Sequence, residues 1–458
     1  MQLNFQRSLT AAFVATLVAQ SGACSSSRSS AQDTADRRVA APGSASQSPA
    51  SPTAAPARAQ FDLPAPAPMQ PVTASAAEQD AFMLQSAKSA WNYVARETTK
   101  HGFVGATKSY PYLTIWDIAS GMASAYSARE LGLISKQEYK QYVDRTLSSL
   151  QTIKLYDYQA FNRMYGALDG AMVDHNAKPS TRGMGFSALD HGRLFIWLKL
   201  VANDDPEFAP RAKAIVDRVN KERMTSGGYM QGESISAKTD EVQKYQEGRV
   251  GYEQYAAEGY ALWTAPVSNA RNWMLNAKPV TVFGQTLLAD TRGGDVMTSE
   301  PFVMMGLELG WPDATWRNLS LAVLAAQEER YKRTGIVTMV SEDAIPVPPT
   351  YFYYYLLYSD GKPFVVSTVS GVVSDTFPRW VSAKAAFGYH ALSPTDYTWR
   401  ALQTVKYAST GAGWSAGVYE GTKKSTSTYN LNTAALVLES AAYRKRGCAF
   451  IVRTCPKG

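Results

Sequence analysis

The chain contains little histidine and little cysteine, with four His and three Cys among 458 residues. With so few histidines, a metal centre built from imidazole ligands is a poor interpretation, and we assign no metal site. No glycine-rich phosphate loop or dinucleotide-binding fingerprint stands out, so no cofactor is expected. The apolar run at residues 9–19 is too short to span a bilayer. The remaining candidates for functional groups are carboxylates and aromatic residues, which are abundant.

Strong charge of one sign is also absent. The formal net charge is +7, and no dense run of Lys or Arg occurs. The nearest is Arg444-Lys445-Arg446 at the end of a predicted helix, where cations stabilise the C-terminus. A nucleic-acid partner is therefore not expected, whereas an anionic polysaccharide is compatible with the charge.

The N-terminus has the pattern of an export signal. Arg7 precedes the apolar run, and residues 1–23 have the length of a signal peptide. The small residues before Cys24 resemble a bacterial lipobox, in which that cysteine becomes the lipidated first residue of the mature protein. Ordinary cleavage after Ala23 is the alternative. Because Ser25 follows the cysteine rather than Asp, retention on the inner membrane is not expected.

Residues 24–77 consist mostly of Ser, Ala, Pro and Gln, a composition that cannot bury a core. We predict a disordered tether that holds the folded body away from a membrane. The expected location is the periplasm or the cell surface, with the membrane contacted through a lipid anchor in the outer membrane.

The other two cysteines, Cys448 and Cys455, lie in a C-terminal tail, residues 447–458. In an exported protein, two cysteines this close favour a disulfide that closes a short loop. Their spacing and the lack of a nearby histidine argue against zinc. Cys24 is then the odd cysteine, which lipidation would explain.

Helical periodicity dominates residues 78–446, which we predict to form the folded domain. Eleven segments have the spacing of apolar residues that is typical of helices: residues 78–97, 116–131, 136–151, 188–203, 207–223, 252–264, 300–310, 313–333, 379–391, 395–408 and 429–446. Segments rich in small residues alternate with charged ones, as expected if inner helices are covered by outer helices. The predicted fold class is all-α, a toroid of helical hairpins with long loops and a small β-hairpin near residues 365–373.

Carboxylates and aromatic residues recur together in this domain. Carboxylate pairs are the usual acid–base groups for cleaving glycosidic bonds, and aromatic faces suit the apolar faces of sugar rings. Six such motifs lie beside turns or at the starts of apolar helices: Trp116-Asp117, Asp190-His191-Gly192-Arg193, Tyr252-Glu253-Gln254-Tyr255, Thr298-Ser299-Glu300-Pro301-Phe302, Ser341-Glu342-Asp343 and Tyr419-Glu420-Gly421. Their recurrence predicts a ring of helices that opens onto one polar cleft.

Several of these motifs resemble those of a bacterial family of unknown function in the six-hairpin glycosidase superfamily. The resemblance is carried by the following stretches: Thr114-Ile115-Trp116-Asp117, Leu189-Asp190-His191-Gly192-Arg193-Leu194, Tyr255-Ala256-Ala257-Glu258-Gly259-Tyr260, Ser299-Glu300-Pro301-Phe302, Ser341-Glu342-Asp343 and Asn430-Leu431-Asn432-Thr433. It covers about residues 80–446 and extends, more distantly, to bacterial β-1,2-glucanase and glycoamylase-like proteins. The resemblance implies an (α/α)6 barrel with its cleft at one end, and an oligo- or polysaccharide substrate such as a β-linked glucan of bacterial origin.

Three acids are the candidate catalytic residues. Glu300 precedes Pro301 at the start of an apolar helix, and we predict it to be the general acid. Glu342 or Asp343, adjacent acids between apolar stretches, would act as the base or the nucleophile. The alternative for Glu300 is a carboxylate that stabilises a helix dipole, and the alternative for the adjacent pair is a solvated turn.

Eight further residues are predicted to bind and orient the substrate: Trp116, Asp117, Asp190, Arg193, Tyr255, Tyr353, Trp414 and Glu420. The acids would hold sugar hydroxyls, and the aromatic residues would stack on sugar rings. Asp190 and Arg193 lie three positions apart on one predicted helix, so an ion pair between them is expected. For the aromatic residues, packing in the core is the alternative.

The predicted function is an exported glycoside hydrolase or transglycosylase. Two alternatives stay open: a polysaccharide lyase, which needs a Tyr or His base and an anionic substrate, and a non-catalytic envelope lipoprotein that holds polysaccharide. The stretch Gly413-Trp414-Ser415-Ala416-Gly417 matches the nucleophile-elbow pattern, but no histidine follows Ser415. A serine hydrolase is therefore not expected.

Overall fold

The computed structural model describes residues 61–108, 110–292, 296–359 and 361–455. The predicted signal peptide, Cys24 and the tether up to residue 60 lie outside these ranges. Over the described residues the chain forms thirteen α-helices: α1 Ala76–Glu97, α2 Ile115–Leu131, α3 Lys136–Thr152, α4 Ala188–Asp204, α5 Ala209–Asp217, α6 Lys221–Met224, α7 Tyr252–Ala261, α8 Trp273–Asn276, α9 Glu300–Met304, α10 Ala314–Thr334, α11 Ala383–Leu392, α12 Asp396–Val405 and α13 Leu431–Arg446. Each of the eleven predicted helical segments overlaps one or two of them.

Within the same ranges, no helix is both long and apolar enough to cross a membrane.

Side-chain capping determines where the helices begin. Thr114 accepts a hydrogen bond from the backbone N–H of Asp117, and the Asp117 carboxylate accepts from Thr114 in return, so α2 starts with a capping box. Gly132 ends that helix in the left-handed conformation, with φ 76°. Asn430 caps α13 by accepting from the N–H of Thr433. These caps fix the positions of the first-turn side chains.

Six helices pack in a closed ring, which we call the helix ring. α2 contacts α4, and the sequence of contacts continues through α7, α9, α11 and α13 back to α2. Small residues let these helices approach closely. A Cβ on Gly259 of α7 would lie 1.9 Å from the carbonyl oxygen of Gly192 of α4, so only glycine fits at this crossing. The segments rich in small residues therefore occupy the inner positions, as their composition predicts.

Five further helices cover the helix ring from outside. α1 packs against α13 and α2, α3 against α2, α5 against α4, α10 against α9, and α12 against α11. Between α7 and α9, where a sixth outer helix would complete the alternation, the chain forms the short helix α8 and a β-hairpin. That hairpin packs against α10. No helical periodicity is present in this part of the sequence.

The long connections, predicted as loops, carry short antiparallel strands. The strands pair as follows: β1 Tyr112–Thr114 with β4 Met164–Gly166; β2 Leu155–Tyr156 with β3 Ala160–Phe161; β5 Gly185–Phe186, β6 Gln231–Ile235 and β7 Val242–Gln246 in that order; β8 Ala277–Val282 with β9 Gln285–Asp290; β10 Glu342–Ala344, β11 Tyr351–Tyr358 and β12 Lys362–Thr368 in that order; β13 Trp380–Ser382 with β16 Gly417–Tyr419; and β14 Ser409–Thr410 with β15 Gly413–Trp414. Most are too short for period-two alternation to be recognised. Near the predicted hairpin, β12 pairs with β11, and Ser367 bridges Val373.

The C-terminal tail contacts the last turn of an inner helix. The Cys448–Cys455 disulfide is present, as the spacing predicts. Within its loop, Phe450 donates a backbone hydrogen bond to the carbonyl of Leu307 at 3.0 Å, and Ile451 donates to that of Glu308 at 2.9 Å. Both carbonyls belong to the π-helical turn Met305–Leu309, where the regular hydrogen-bond pattern of α9 is interrupted. The loop thereby satisfies acceptors at that helix end.

Candidate active site

A cavity of about 570 Å³ lies at the N-terminal end of the helix ring. Each of the six ring helices lines it with a residue from its first turn or just before it: Trp116 at α2, Asp190 at α4, Tyr252 at α7, Thr298 at α9, Lys384 at α11 and Asn432 at α13. Strands β10 to β12 and residues 245–249 contribute further walls. Side chains that are distant in sequence meet here because the ring helices begin at the same end.

Lys384 is the centre of four charged residues that we call the lysine cluster: Lys384, Glu300, Glu342 and Asp343. Its Nζ donates to a carboxylate oxygen of Glu300 at 2.7 Å and to the backbone carbonyl of Glu342 at 2.7 Å. It also lies 3.5 Å from Oδ1 of Asp343. Burial works against the ammonium form, but the three carboxyls raise the pKa of Lys384, so it stays charged. One cation thus faces three acids.

Glu342 lines the cavity and is the acid of this cluster that stays protonated. Burial and then the neighbouring Glu300 carboxyl raise the pKa of Glu342 to about 8, although Lys384 and hydrogen bonding with Tyr252 act in the opposite direction. Tyr353, which faces Glu342 across the β10–β11 ladder, also hydrogen-bonds to it. A carboxyl with this pKa is protonated at neutral pH and can donate a proton.

Asp343 has one anchored carboxylate oxygen and one without a hydrogen bond. Oδ2 accepts from the indole N–H of Trp380 at 2.9 Å and from the hydroxyl of Ser382 at 3.0 Å. Oδ1 has no hydrogen-bond donor and faces Lys384. Burial raises the pKa of Asp343 to about 6, so the carboxyl is ionised at neutral pH. The adjacent acids Glu342 and Asp343 therefore differ in protonation state at neutral pH.

Glu300, the predicted general acid, is not among the residues that line the cavity. Its side chain is 2% exposed and accepts hydrogen bonds from Lys384, from Tyr252 at 3.2 Å and from Ser341 at 3.4 Å. It does stand at the start of α9, next to Pro301, as the sequence predicts. All three donors bond to Oε2 of Glu300, and of the two glutamates it is Glu342 that lines the cavity.

A second acidic group lies on the wall formed by α4 and residues 245–249. Asp190 and Glu247 both line the cavity, beside Arg163. Glu247 lies 3.6 Å from Arg163 and accepts from the backbone N–H of Ala188 at 2.5 Å. Burial and the Glu247 carboxyl raise the pKa of Asp190 to about 7, and burial also raises the pKa of Glu247. These groups can both donate to and accept from sugar hydroxyls.

Three more of the predicted binding residues line the cavity: Trp116, Asp117 and Tyr353. Asp117 is held by its reciprocal cap with Thr114, and burial raises the pKa of its carboxyl to about 6. The ring of Trp116 has the Arg193 guanidinium 4.8 Å from its centroid, so one face is occupied by a cation.

Four predicted binding residues do not line the cavity: Arg193, Tyr255, Trp414 and Glu420. Arg193 is fully buried inside the helix ring and pairs with Glu308 at 3.6 Å and Glu439 at 3.3 Å. The expected Asp190–Arg193 ion pair is not formed. The guanidinium lies instead beside the fully buried carboxyl groups of Glu308 and Glu439, while Asp190 accepts a hydrogen bond from Ser187.

The other three have partners elsewhere in the fold. Tyr255 is buried and donates to Glu308 at 2.5 Å. Trp414 is also buried, which agrees with the alternative of core packing. Glu420 forms two hydrogen bonds of 2.9 Å with the guanidinium of Arg330. These contacts stabilise the fold rather than present a surface to the cavity.

Sequence reasoning missed four of the charged residues that line the cavity: Arg163, Glu247, Arg249 and Lys384. Only Lys384 had a clear signal, because it is a lone charge in an apolar segment, and a buried lysine needs an anionic partner. Glu247 and Arg249 lie in a connection without periodicity. Among the described residues, no group of three or more His, Cys, Asp or Glu is arranged to hold a metal ion.

Several solved structures share the fold of this chain. A protein of Bacteroides caccae, provisionally named a glucoamylase, superposes with a TM-score of 0.58 at 13% identity, covering 80% of this chain and 94% of the other. An endo-β-1,2-glucanase of Chitinophaga pinensis, in complex with sophorotriose and glucose, gives 0.57 at 12% identity and covers 80% and 93%. A β-1,2-glucanase of Parabacteroides distasonis gives 0.56 at 12% identity and covers 82% and 57%.

These neighbours belong to the six-hairpin glycosidase superfamily. At such low identity the likeness establishes a shared fold. No curated protein matches the chain. The family model described as "protein of unknown function (DUF3131)" matches residues 85–447, which is most of the sequence. The chain therefore belongs to this family, as the resemblance in its motifs indicates.

Proposed function

We propose that the protein is a glycoside hydrolase or transglycosylase that acts on a bacterial polysaccharide through Glu342 and Asp343. The observation that carries the proposal is the arrangement of two adjacent carboxyls around Lys384 at one cavity: Glu342 lines the cavity, and Asp343 lies 3.5 Å from the ammonium group. In these surroundings the pKa is raised to about 8 for Glu342 and about 6 for Asp343. Near neutral pH the first is a proton donor and the second an ionised base or nucleophile. Glycoside cleavage by a carboxyl pair requires this division of protonation states.

In this mechanism Glu342 donates its proton to the glycosidic oxygen as the bond to the anomeric carbon breaks. Oδ1 of Asp343 has no hydrogen-bond donor but is buried beside Lys384, so it must become exposed to the cavity before it attacks the anomeric carbon or accepts a proton from an attacking water. Lys384 balances the charge that remains on the cluster. Glu300 has an indirect role, because its carboxyl helps to raise the pKa of Glu342.

A β-linked glucan is the proposed substrate class. Its support comes from the shared fold with β-1,2-glucanases, one of which is solved with sophorotriose and glucose. The cavity has both donors and acceptors for neutral sugar hydroxyls, including Arg163, Asp190 and Tyr353. Five acidic residues line it, which is unfavourable for an anionic polysaccharide.

The lyase alternative lacks a suitable base. A lyase would need a deprotonated Tyr or a His at the cavity. Burial raises the pKa of Tyr252, Tyr351 and Tyr353 well above the ordinary value, so these phenols stay protonated. No histidine of the described ranges lines the cavity.

We also propose that the helix ring and its outer helices form an (α/α)6 barrel in which α8 and the β8–β9 hairpin take the place of one outer helix. The barrel architecture of the structural neighbours supports this reading. An experimental structure that showed an additional outer helix, or an open ring, would contradict it.

The test of function is turnover of defined glucans by the purified protein. β-1,2-, β-1,3-, β-1,4- and β-1,6-linked glucans, with an α-1,4-linked glucan for comparison, are incubated with the protein and the products analysed by mass spectrometry. Shorter chains with added water indicate hydrolysis, and lengthened chains indicate transfer. Unsaturated products would favour the lyase. Binding without any turnover would favour the glycan-binding lipoprotein.

The pH dependence of a hydrolysed glucan tests the assignment of the two acids. Activity requires Asp343 ionised and Glu342 protonated. kcat/KM should therefore rise as pH passes about 6 and fall as pH passes about 8. An activity that keeps rising well above pH 8 would exclude Glu342 as the proton donor.

We further propose that the protein is exported and anchored in the outer membrane through a lipid on Cys24. The support is the charged and apolar start of the chain and the small residues before the cysteine. Cys24→Ala should move the protein from the membrane fraction to the soluble exported fraction. Equal partitioning of variant and wild type would contradict the anchor and would favour ordinary cleavage after Ala23.

A further inference from the structure

Four tyrosines form a row along strand β11, which we call the tyrosine row: Tyr351, Tyr353, Tyr355 and Tyr358. All four line the cavity. Successive ring centroids are 5.6, 5.3 and 5.5 Å apart. The first three occupy alternate positions of the strand and therefore share one face. Phe352 and Tyr354, on the opposite face, are buried in the core.

Neighbouring rings of the row cover part of one another, and Tyr351 meets Tyr353 edge to face, with their planes 75° apart. Tyr353 and Tyr355 stack with their planes 12° apart, and Tyr355 and Tyr358 stack at 26°. What the row offers to the cavity is its edges and hydroxyl groups. The hydroxyl of Tyr353 hydrogen-bonds to Glu342, that of Tyr355 to Ser367, and that of Tyr358 to the carbonyl of Gly371 at 3.4 Å.

The row has a direction relative to the reacting acid. Glu342 pairs with Tyr353 in the β10–β11 ladder, so the acid lies near the end that begins with Tyr351. From this pair Tyr355 and Tyr358 continue along β11, and Tyr358 is only half-buried. Residues 367 and 368 of β12 pair with the other end of β11, at Tyr353 and Phe352. The spacing of the rings is comparable with the length of one pyranose unit in a glycan chain.

We propose that the tyrosine row is a binding track for an extended glucan chain, which runs from Glu342 past Tyr355 to Tyr358. This proposal rests on the proposed function and specifies its substrate as a chain of several sugars rather than a disaccharide. Each phenol hydroxyl can accept a hydrogen bond from a sugar hydroxyl in addition to donating its own. The track is thus polar, and it recognises the row of hydroxyls along one edge of a neutral chain.

The experiment measures how the effect of losing one hydroxyl depends on chain length. β-1,2-linked glucose oligosaccharides from the disaccharide to the heptasaccharide are used as substrates for wild type, Tyr358→Phe and Tyr355→Phe. Phenylalanine keeps the ring stacking and removes only the hydroxyl. For wild type, kcat/KM should rise with chain length and then level off.

The two variants should differ in the length at which their defect begins. Tyr358→Phe should lower kcat/KM about five- to tenfold for the longest chains and leave the shortest substrate unchanged. Tyr355→Phe should show its loss from a shorter chain length onward. Tyr354→Phe is the matched control, since Tyr354 lies on the opposite face of the same strand and donates to Glu420. Any effect of that control should be equal for every length.

The outcome that overturns the track is a defect of Tyr358→Phe that is the same for all lengths, or a wild-type kcat/KM that does not depend on length. A failure of the proposed function is recognised separately, because the same oligosaccharides can be titrated calorimetrically into Glu342→Gln. If wild type hydrolyses none of them but affinity rises with length and Tyr358→Phe reduces only long-chain affinity, the track stands and the hydrolase does not. If neither affinity nor turnover depends on length, the track is rejected.

Discussion

The helix ring contains two clusters of buried charge that look alike in composition and differ in access. The lysine cluster combines Lys384 with three carboxyls, of which those of Glu342 and Asp343 line the cavity. The other, which we call the arginine cluster, combines Arg193 with Glu308 and Glu439. In both, burial raises the pKa of carboxyls while a cation acts in the opposite direction.

The arginine cluster is closed on all sides. Arg193, Glu308 and Glu439 are fully buried, and none of them lines the cavity. The Glu308 carboxylate accepts from the indole N–H of Trp197 at 3.0 Å and from the hydroxyl of Tyr255 at 2.5 Å. Burial and the neighbouring Glu308 raise the pKa of Glu439 well above its ordinary value. Burial raises the pKa of Glu308 as well, but the hydrogen bond between the two carboxyls raises only that of Glu439, so Glu439 is the carboxyl that holds the proton.

The comparison shows that a raised pKa by itself does not identify a reacting group. Both clusters hold a protonated carboxyl at neutral pH, but only Glu342 can deliver its proton to a molecule in the cavity. In the arginine cluster, similar interactions between buried charged groups hold α4, α13 and the end of α9 together inside the ring. Access, not burial, separates a candidate catalytic acid from a structural one.

The largest difference between the two clusters is expected when the protonated glutamate of each is replaced by glutamine. Glu342→Gln removes the transferable proton and keeps the shape of the side chain, so kcat/KM on a cleaved glucan should fall by about 10³ to 10⁵-fold. Glu439→Gln is the matched control, because glutamine imitates a protonated glutamate, and its kcat/KM should stay within a few-fold of wild type. Steady-state kinetics on both variants, with circular dichroism to verify folding, gives the answer. Comparable losses in the two variants would mean that access is not the distinction.

Within the arginine cluster, the two carboxyls should respond unequally to the same substitution. Glu308→Gln turns a buried acceptor of several hydrogen bonds into an amide whose N–H₂ faces other donors and leaves Arg193 poorly compensated. The free energy of unfolding should fall by about 3 kcal/mol. Glu439→Gln should cost under about 1 kcal/mol, since the neutral form is already present. Denaturant titrations at neutral pH measure both, and equal destabilisation would show that the proton is not held by Glu439.

Sequence reasoning succeeded where a residue's neighbours in the chain determine its surroundings. The helical segments, the inner positions of the segments rich in small residues, and the Cys448–Cys455 pair follow from periodicity, composition and spacing. The motifs around Asp117, Asp190 and Glu342 do reach one cavity, because each stands beside the start of a ring helix or on strand β10.

Sequence reasoning could not predict the direction in which a buried polar side chain points. Asp190 and Arg193 lie three residues apart on α4, yet one lines the cavity and the other pairs inside the ring with residues more than a hundred positions away. Likewise Glu300 and Glu342 both belong to acidic motifs, and only long-range packing brings Lys384 between them. Partners of this kind come from the tertiary fold, so local spacing does not contain them.

The smallest and most specific effect is expected at Glu300, where two readings of the lysine cluster make different predictions. If Glu300 acts through Glu342, then Glu300→Gln removes a neighbouring carboxyl that raises the pKa of both Glu342 and Asp343. Both limbs of the pH profile should then move to lower pH. kcat/KM at pH 8 should fall roughly tenfold, while the maximum, now at lower pH, stays within a few-fold of wild type.

If Glu300 is itself the proton donor, as its motif alone predicts, the same substitution should abolish activity by several orders of magnitude at every pH. The measurement is therefore a full pH profile of kcat/KM for wild type and Glu300→Gln, rather than a single rate at one pH. Ser341→Ala serves as a control, because it removes a 3.4 Å hydrogen bond to the same carboxylate without removing charge. Its profile should keep both limbs in place. If the pH profile of kcat/KM moves to lower pH and keeps its maximum value, Glu342 is the proton donor. If kcat/KM falls by the same large factor at every pH, Glu300 is the proton donor.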